Sequence, residues 1–341
     1  MDMGEGEGME TQVSENKDYE KRVSGERRHF EGLANFSALP EIVNWWSSKY
    51  LAPRIQELLG YSGGYTFYLN PILAAAENNK RVTVASIGSG DGEVENALAK
   101  LLHERNIRNV KIVGFELSNE LVSKAKNKAS SLGVSKIVSF KSVDVNKSFA
   151  SSKFDLIIAN QVLHHIINLE QLLDSCHASL KDDGLLMTRD MIGKNGHQCW
   201  PEAKTVVDKI WSEMPERYKL NCRNGENSAE FPNIDFSKWG FEGTRSQDIL
   251  PLINERFGYS HFYAFGGIVE RFINRAYGPN YSSKVEEDTH FVDGIQKIND
   301  ELIDNKKITP TQMVAYFSKR KLRGQVWLDR TPESCVRLTD D

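Results

Sequence analysis

The residues of this chain whose types and spacing could do chemistry fall into two groups. The first is the glycine-rich loop Gly88-Ser-Gly-Asp-Gly92. Its glycines let the backbone turn sharply and meet a ligand where a Cβ would clash. Glu116 and Asp144 stand further on, each at the end of a short apolar run. A carboxylate at Glu116 can accept both hydroxyls of a ribose, and one at Asp144 can accept from an exocyclic amino group. The second group is His164, His165, Asp190 and His197. A free imidazole can act as a base or as a hydrogen-bond donor. Each of these residues also has a plain structural alternative, a loop-stapling bond to backbone.

The elements that must position these groups are legible around them. Val82, Val84 and Ile87 make a β-branched run before the glycines, as a buried parallel strand would. Val94, Ala97, Leu98, Leu101 and Leu102 recur behind them at helical spacing. Residues 110–116, 139–145, 154–160 and 185–190 repeat the strand pattern. Between them, helices over 119–132 and 169–180 would bury Leu121, Val122, Ala125, Ala129 and Leu132, then Leu169, Leu172, Leu173, Cys176 and Leu180. Such alternation implies a parallel sheet with helices on both faces. Ligands then sit at the carboxyl ends of the strands. Gly88–Gly92, Glu116, Asp144, Asn160 and Asp190 all fall at such ends.

A dinucleotide site wants G-x-G-x-x-G, whereas this loop is G-x-G-x-G, with Val94 and Glu95 where a third glycine would fall. The ordered set of the loop, Glu116, Asp144 and the polar lip after Asn160 resembles the class I S-adenosylmethionine-dependent methyltransferases over residues 80–192. The resemblance implies a Rossmann-like, seven-stranded, mostly parallel sheet with helical lid insertions. It implies S-adenosyl-L-methionine as cofactor, with contacts from Gly88, Ser89, Gly90, Asp91, Gly92, Glu116, Leu117, Asp144, Val145 and Asn160. One departure stands out: the family usually carries Asp or Glu two residues before the first glycine, and this chain has Ser86.

The rest of the chain divides around that core. Residues 1–25 are acidic and polar and are expected as a disordered tail. Residues 26–79 are expected as an N-terminal helical lid, with a helix starting near Pro40 and carrying Trp45, Trp46 and Tyr50. Residues 193–255 form a helical insertion that would cap the acceptor. Residues 256–319 hold a sixth strand, a second helical insertion and a final strand at 311–318, antiparallel beside the fifth in similar enzymes. Residues 320–341 are charged and are expected as a C-terminal tail.

Composition narrows the class. No apolar run approaches the ~20 residues a membrane span needs, and no secretory signal is visible. Net charge is −4 with scattered basic residues, so no nucleic-acid partner is expected. The four cysteines show no C-x-x-C pairing, so neither a metal site nor a disulfide framework is expected. A cytoplasmic enzyme fits, and its oligomeric state is open.

Methyl transfer asks mainly for alignment of the acceptor and exclusion of water. A base is needed only where the acceptor keeps its proton. His197, His165, Asp190 and Tyr50 are the candidate catalytic residues, on the loops and lid that would face the acceptor. The expected activity is methylation of a small molecule of specialised metabolism. Oxygen methylation of a sugar or natural product competes with carbon methylation of a prenyl diphosphate, such as farnesyl or geranyl diphosphate. The many aromatics and arginines of the lid segments keep the second alive. A catalytically inactive, cofactor-binding regulatory protein is the alternative from another class.

Overall fold

A computed structural model of the chain describes residues 19, 22–25, 39–61, 64–78, 81–149 and 152–337. Most of the acidic N-terminal stretch lies outside these residues. Its described part packs: Val23 is buried, and the Tyr19 hydroxyl donates to Asp144 at 2.7 Å.

The centre is a sheet of eight strands in the order β10-β8-β9-β5-β4-β1-β2-β3. They are β1 (Val82–Ile87), β2 (Val110–Glu116), β3 (Val138–Ser142), β4 (Phe154–Asn160), β5 (Leu180–Met191), β8 (Gly258–Phe265), β9 (Gln312–Ser318) and β10 (Arg323–Val326). The short hairpin β6 (Leu220–Asn221) and β7 (Glu226–Asn227) stands apart. β1 lies between β4 and β2 and is parallel to both. Its alternate residues bury into opposite cores: Val82 and Val84 into one, Ala85 and Ile87 into the other. Two buried faces explain why the run is apolar throughout rather than alternating. The chain steps from β1 to β2 on one side and returns to β4 on the other, so the switch point falls after β1. Register brings the strand ends abreast there: Ile87 beside Phe115 and Ala159, and Asn160 beside Arg189.

The helices of the core are α4 (Glu93–Glu104), α5 (Asn119–Ser131), α6 (Leu169–Ser179) and α8 (Ser246–Arg256). Ser118 caps α5 by accepting from the Leu121 N–H at 3.3 Å. Cys176 on α6 is fully buried and free, and burial raises its thiol pKa. Leu132, expected inside, is exposed just past the end of α5.

Ahead of β1 come α1 (Glu41–Trp46), a π-helical turn (Ser47–Leu51), α2 (Ala52–Leu59) and α3 (Thr66–Asn78). The cap comprises α7 (Pro201–Glu213), α9 (Val269–Ile273) and α10 (Glu286–Asp304). Its aromatics mostly make its own core. Trp211 meets Phe231 and Tyr277 edge-on at 5.3 and 5.1 Å, and Tyr218 stacks on Tyr281 at 4.4 Å. α1 and α2 rest on α10: Trp46 Nε1 donates to Gln296 at 2.6 Å, and Arg54 pairs with Asp300.

The mostly parallel sheet flanked by helices is the one expected, with one strand more. The sheet has eight strands rather than seven, because the charged C-terminal stretch supplies β10, parallel to β8 at the sheet edge. An edge strand tolerates charge on its open side, which is why its pattern looked like a tail. Beyond it, Arg330 is buried and pairs with Asp304 at 2.6 Å. β9 runs antiparallel between β5 and β8, as expected. Among the described residues no helix is long and apolar enough to cross a membrane.

Candidate active site

The site has two halves that share the carboxyl end of β4. The first half gathers around the glycine loop. Gly90 has φ 53°, and a Cβ there would meet nothing within 4 Å, so the loop borders open space. Glu116, ending β2, accepts from the Gly90 N–H at 3.0 Å and from the Ser118 N–H at 2.9 Å. The carboxylate is thereby fixed at the lip of the loop. Asp144 accepts from Tyr19 and from the Asn146 N–H at 3.1 Å. Leu117 and Val145 are half-exposed beside these carboxylates. Asn160 accepts from the Tyr68 hydroxyl of α3 at 2.8 Å. Asp91 is exposed, and its carboxylate accepts from the Glu93 N–H at the start of α4. Two polar atoms buried here, Ser89 Oγ and Glu95 Oε2, have no hydrogen-bond partner. Orphaned polar atoms beside a glycine-lined space fit a polar ligand that brings its own donors and acceptors.

The second half is an acid–base cluster. Asp190, fully buried on β5, accepts from the N–H groups of Val162 (3.0 Å), Leu163 (2.8 Å) and Met191 (2.8 Å). It also holds His164 Nδ1 at 2.6 Å. The other ring nitrogen of His164 faces Glu242 at 3.5 Å. His197 Nε2 lies 2.6 Å from Glu242 Oε1, and His165 Nε2 lies 3.6 Å from Oε2. Three imidazoles from two loops thus converge on one half-buried carboxylate.

Local chain geometry explains the convergence. His164 and His165 sit on a 3₁₀ turn, Leu163–His165, pinned by Asp190. His197 ends the turn Asn195–His197 and itself has φ 55°, a sparsely populated conformation for a residue with a Cβ. Gly196 lets this loop press against the Glu242 loop. Its N–H donates to Gly243 O at 2.8 Å, and a Cβ on it would fall 1.9 Å from Asp235 Oδ1. Arg271 holds the His197 carbonyl, and the Thr244 N–H donates to the His164 carbonyl at 3.1 Å.

Charges follow from these contacts. Burial opposes the charge on His164, but Asp190 and Glu242 outweigh it and lift the pKa to about 10. Burial likewise opposes ionisation of Glu242, yet the bonds from His164 and His197 hold its pKa well below the carboxylate range. Burial lowers the His197 pKa, with Glu242 pulling the other way and His164 adding to the drop. The arrangement is therefore an imidazolium at His164, a carboxylate at Glu242 and a neutral His197. Glu242 accepts the His197 Nε2 proton, which leaves the Nδ1 lone pair able to take another. The ligating atoms of His164, His165 and Glu242 lie within 4.8 Å of one another. Hydrogen bonding to the two carboxylates accounts for the close contacts of His164 and His197.

Of the sequence candidates, His197, His165 and Asp190 come together here. Tyr50 does not join them; its hydroxyl bonds to Asp293 on α10. Asp190 is saturated as an acceptor, so it positions His164 rather than exchanging a proton. Glu242 escaped sequence reasoning. Its only signal is a carboxylate between two glycines, Gly240-Phe-Glu-Gly243, in a stretch without periodicity.

No curated protein sequence matches the chain significantly. Solved structures similar to it include the StiE O-methyltransferase, at 13% identity and TM-score 0.44, covering 84% of each chain. Another is the O-methyltransferase of a trans-AT polyketide synthase multienzyme of Brevibacillus brevis, solved with S-adenosyl-L-homocysteine. It shows 14% identity and TM-score 0.44, covering 88% of this chain and 85% of that one. A putative sarcosine dimethylglycine methyltransferase from Galdieria sulphuraria follows at 13% identity and TM-score 0.42, covering 74% and 84%. None of these likenesses bears on which acceptor this chain uses. The family model described as a methyltransferase domain matches residues 78–255. That match spans more than half of the sequence and takes in the glycine loop, the strand-end carboxylates and the histidine cluster, and by it the chain belongs to the S-adenosylmethionine-dependent methyltransferases.

Proposed function

We propose that this methyltransferase acts on a small molecule and places the methyl group on an oxygen that gives up a proton, with His197 as the base. The observation that carries this reading is the 2.6 Å contact between His197 and Glu242 beside the strand ends. S-adenosylmethionine, when bound, supplies a methyl group activated by its sulfonium. Glu116 would hold the ribose hydroxyls, with Gly88–Gly92 passing close beneath. Asp144 and Val145 would face the adenine, Leu117 would pack beside it, and Asn160 would line the methionine end.

The acceptor's hydroxyl proton would pass to His197 Nδ1 as its oxygen attacks. Glu242 holds the imidazole in the required tautomer and stabilises the imidazolium that forms. His164, already positive, keeps Glu242 ionised in its buried setting. The loops bearing His197 and Glu242 belong to the insertion that covers this edge, so water is excluded as the acceptor is aligned.

Carbon methylation of a prenyl diphosphate lacks comparable support. Four of the cationic side chains that could hold a diphosphate already have partners. Arg245 pairs with Glu170 and Asp248, Arg54 with Asp300, and Lys49 with Asp293. Arg271 reaches the carbonyls of His197 and Gln198 through its two terminal nitrogens, while its buried Nε has no hydrogen-bond partner. Of the aromatics that could face such an acceptor, Trp46, Tyr259, Phe262, Tyr263 and Phe265 are buried core, and Trp45, Tyr50 and Trp200 are half-buried. The test is identification of the methylated atom after reaction with a labelled methyl donor and a panel of hydroxylated small molecules.

A further inference from the structure

Ser86 and Glu95 are coupled beneath the glycine loop. Ser86, the penultimate residue of β1, is fully buried and donates from Oγ to Glu95 Oε1 at 2.5 Å. Glu95 lies in the first turn of α4 and is itself 2% exposed. Its second oxygen, Oε2, has no hydrogen-bond partner. A buried carboxylate oxygen without a donor is costly and calls for a partner. The charged groups acting on it from the chain are Asp91 in the loop and Glu116 on β2, both acidic. Tyr65, just before α3, and Tyr68 on α3 also lie within its field, and the field of Arg189 and Asp190 on β5 reaches Tyr68. Tyr68 in turn bonds to Asn160 at the end of β4. Glu95 therefore sits in a negative environment between the glycine loop and the β4 end, and the missing partner is a cation.

We propose that Glu95 pairs with the ammonium group of the methyl donor's amino-acid end, with Ser86 as the residue that orients it. An ammonium can donate N–H to Oε2; a sulfonium has no proton to give. The carboxylate that the strand end lacks at Ser86 is thus delivered from the helix facing it. The inference rests on the cofactor alone and is independent of which atom of the acceptor is methylated.

Burial raises the Glu95 pKa to about 7, with the Ser86 bond opposing. An incoming ammonium favours the ionised form, so affinity for a ligand carrying it should rise with pH through that value. Asp91 and Glu116 are the charged groups facing it, Tyr65 and Tyr68 the nearby phenols, and Ser86 its hydrogen-bond donor.

The test is calorimetric titration of the full chain with S-adenosyl-L-homocysteine and with 5′-methylthioadenosine, which lacks the amino-acid end. Glu95→Gln is expected to weaken S-adenosyl-L-homocysteine by about 10- to 100-fold, as loss of a charged hydrogen bond does. Affinity for 5′-methylthioadenosine should stay within about twofold. Equal losses for both ligands, or no loss for either, overturn the proposal. The parent protein carries the same test without a variant. Its preference for S-adenosyl-L-homocysteine over 5′-methylthioadenosine should grow from about pH 6 to 8, and a flat preference over that range overturns it. Because only binding is measured, failure here leaves the assignment of His197 intact, and failure of that assignment leaves this one intact.

Discussion

His197 and Glu242 lie 45 positions apart in sequence, and their side chains meet at 2.6 Å. The contact joins the loop after β5 to the loop before α8. It exists because Gly196 and Gly243 let the two backbones touch. Losing either partner should therefore impair the chemistry and spare cofactor binding. His197→Ala is expected to lower turnover by about 10²- to 10⁴-fold. Glu242→Gln, which keeps the shape and loses the charge, should cost about 10- to 10³-fold. Steady-state kinetics read the loss, and titration with S-adenosyl-L-homocysteine should show affinity within a few-fold of the parent. Full turnover in both variants would remove the cluster from the reaction.

The pH profile has a defined sign. The base form of His197 is the neutral imidazole, so turnover should rise with pH and then level off. Burial lowers the His197 pKa, so the midpoint should fall below the ordinary value of ~6.5. Glu242 stabilises the imidazolium, so Glu242→Gln should move the midpoint lower still. His164 destabilises it, so His164→Gln should move the midpoint up. A rising limb that ignores both substitutions would assign the titration to another group.

The sheet was legible because its parallel strands are buried on both faces and read as apolar runs ending in polar residues. The glycine loop, Glu116, Asp144 and Asn160 follow directly from those runs. His164, His165, Asp190 and His197 were visible as residues after strands. Their shared partner was not: Glu242 sits in a cap stretch whose conformation is set by loop-to-loop contacts rather than by period. Tyr50 misled for the opposite reason. Its helix is strongly aromatic, but Trp46 and Tyr50 face α10, and the helix that reaches the site is α3 through Tyr68. β10 was hidden by charges that an edge strand can turn outward.

On the cofactor side, Gly90→Val should leave the fold intact, since a side chain there points into open space. It should abolish binding of S-adenosyl-L-homocysteine by filling that space and straining a φ of 53°. Glu116→Ala should weaken binding by roughly 1.5–3 kcal/mol through loss of charged hydrogen bonds. Calorimetry alongside thermal melting separates lost binding from lost folding. Unchanged affinity in both variants would contradict the placement of the cofactor at this loop.

The close packing of His164, His165 and Glu242 would also suit a divalent cation. Since hydrogen bonds to Asp190 and Glu242 account for the tightest contacts, turnover is expected to survive exhaustive dialysis against a chelator. Activity lost on dialysis and restored by one divalent metal would show that the cluster binds an ion and that its protonation pattern differs from the one described.

Product analysis with the methyl donor carrying carbon-13 in its methyl group tests the central claim most directly. The enzyme is incubated with a panel of phenols, hydroxy acids and sugars, and the product is read by mass and by the carbon chemical shift of the label. The account predicts a label bound to oxygen, formed by the parent protein and nearly absent with His197→Ala. A label bound to carbon, or product formed equally well without His197, would contradict it.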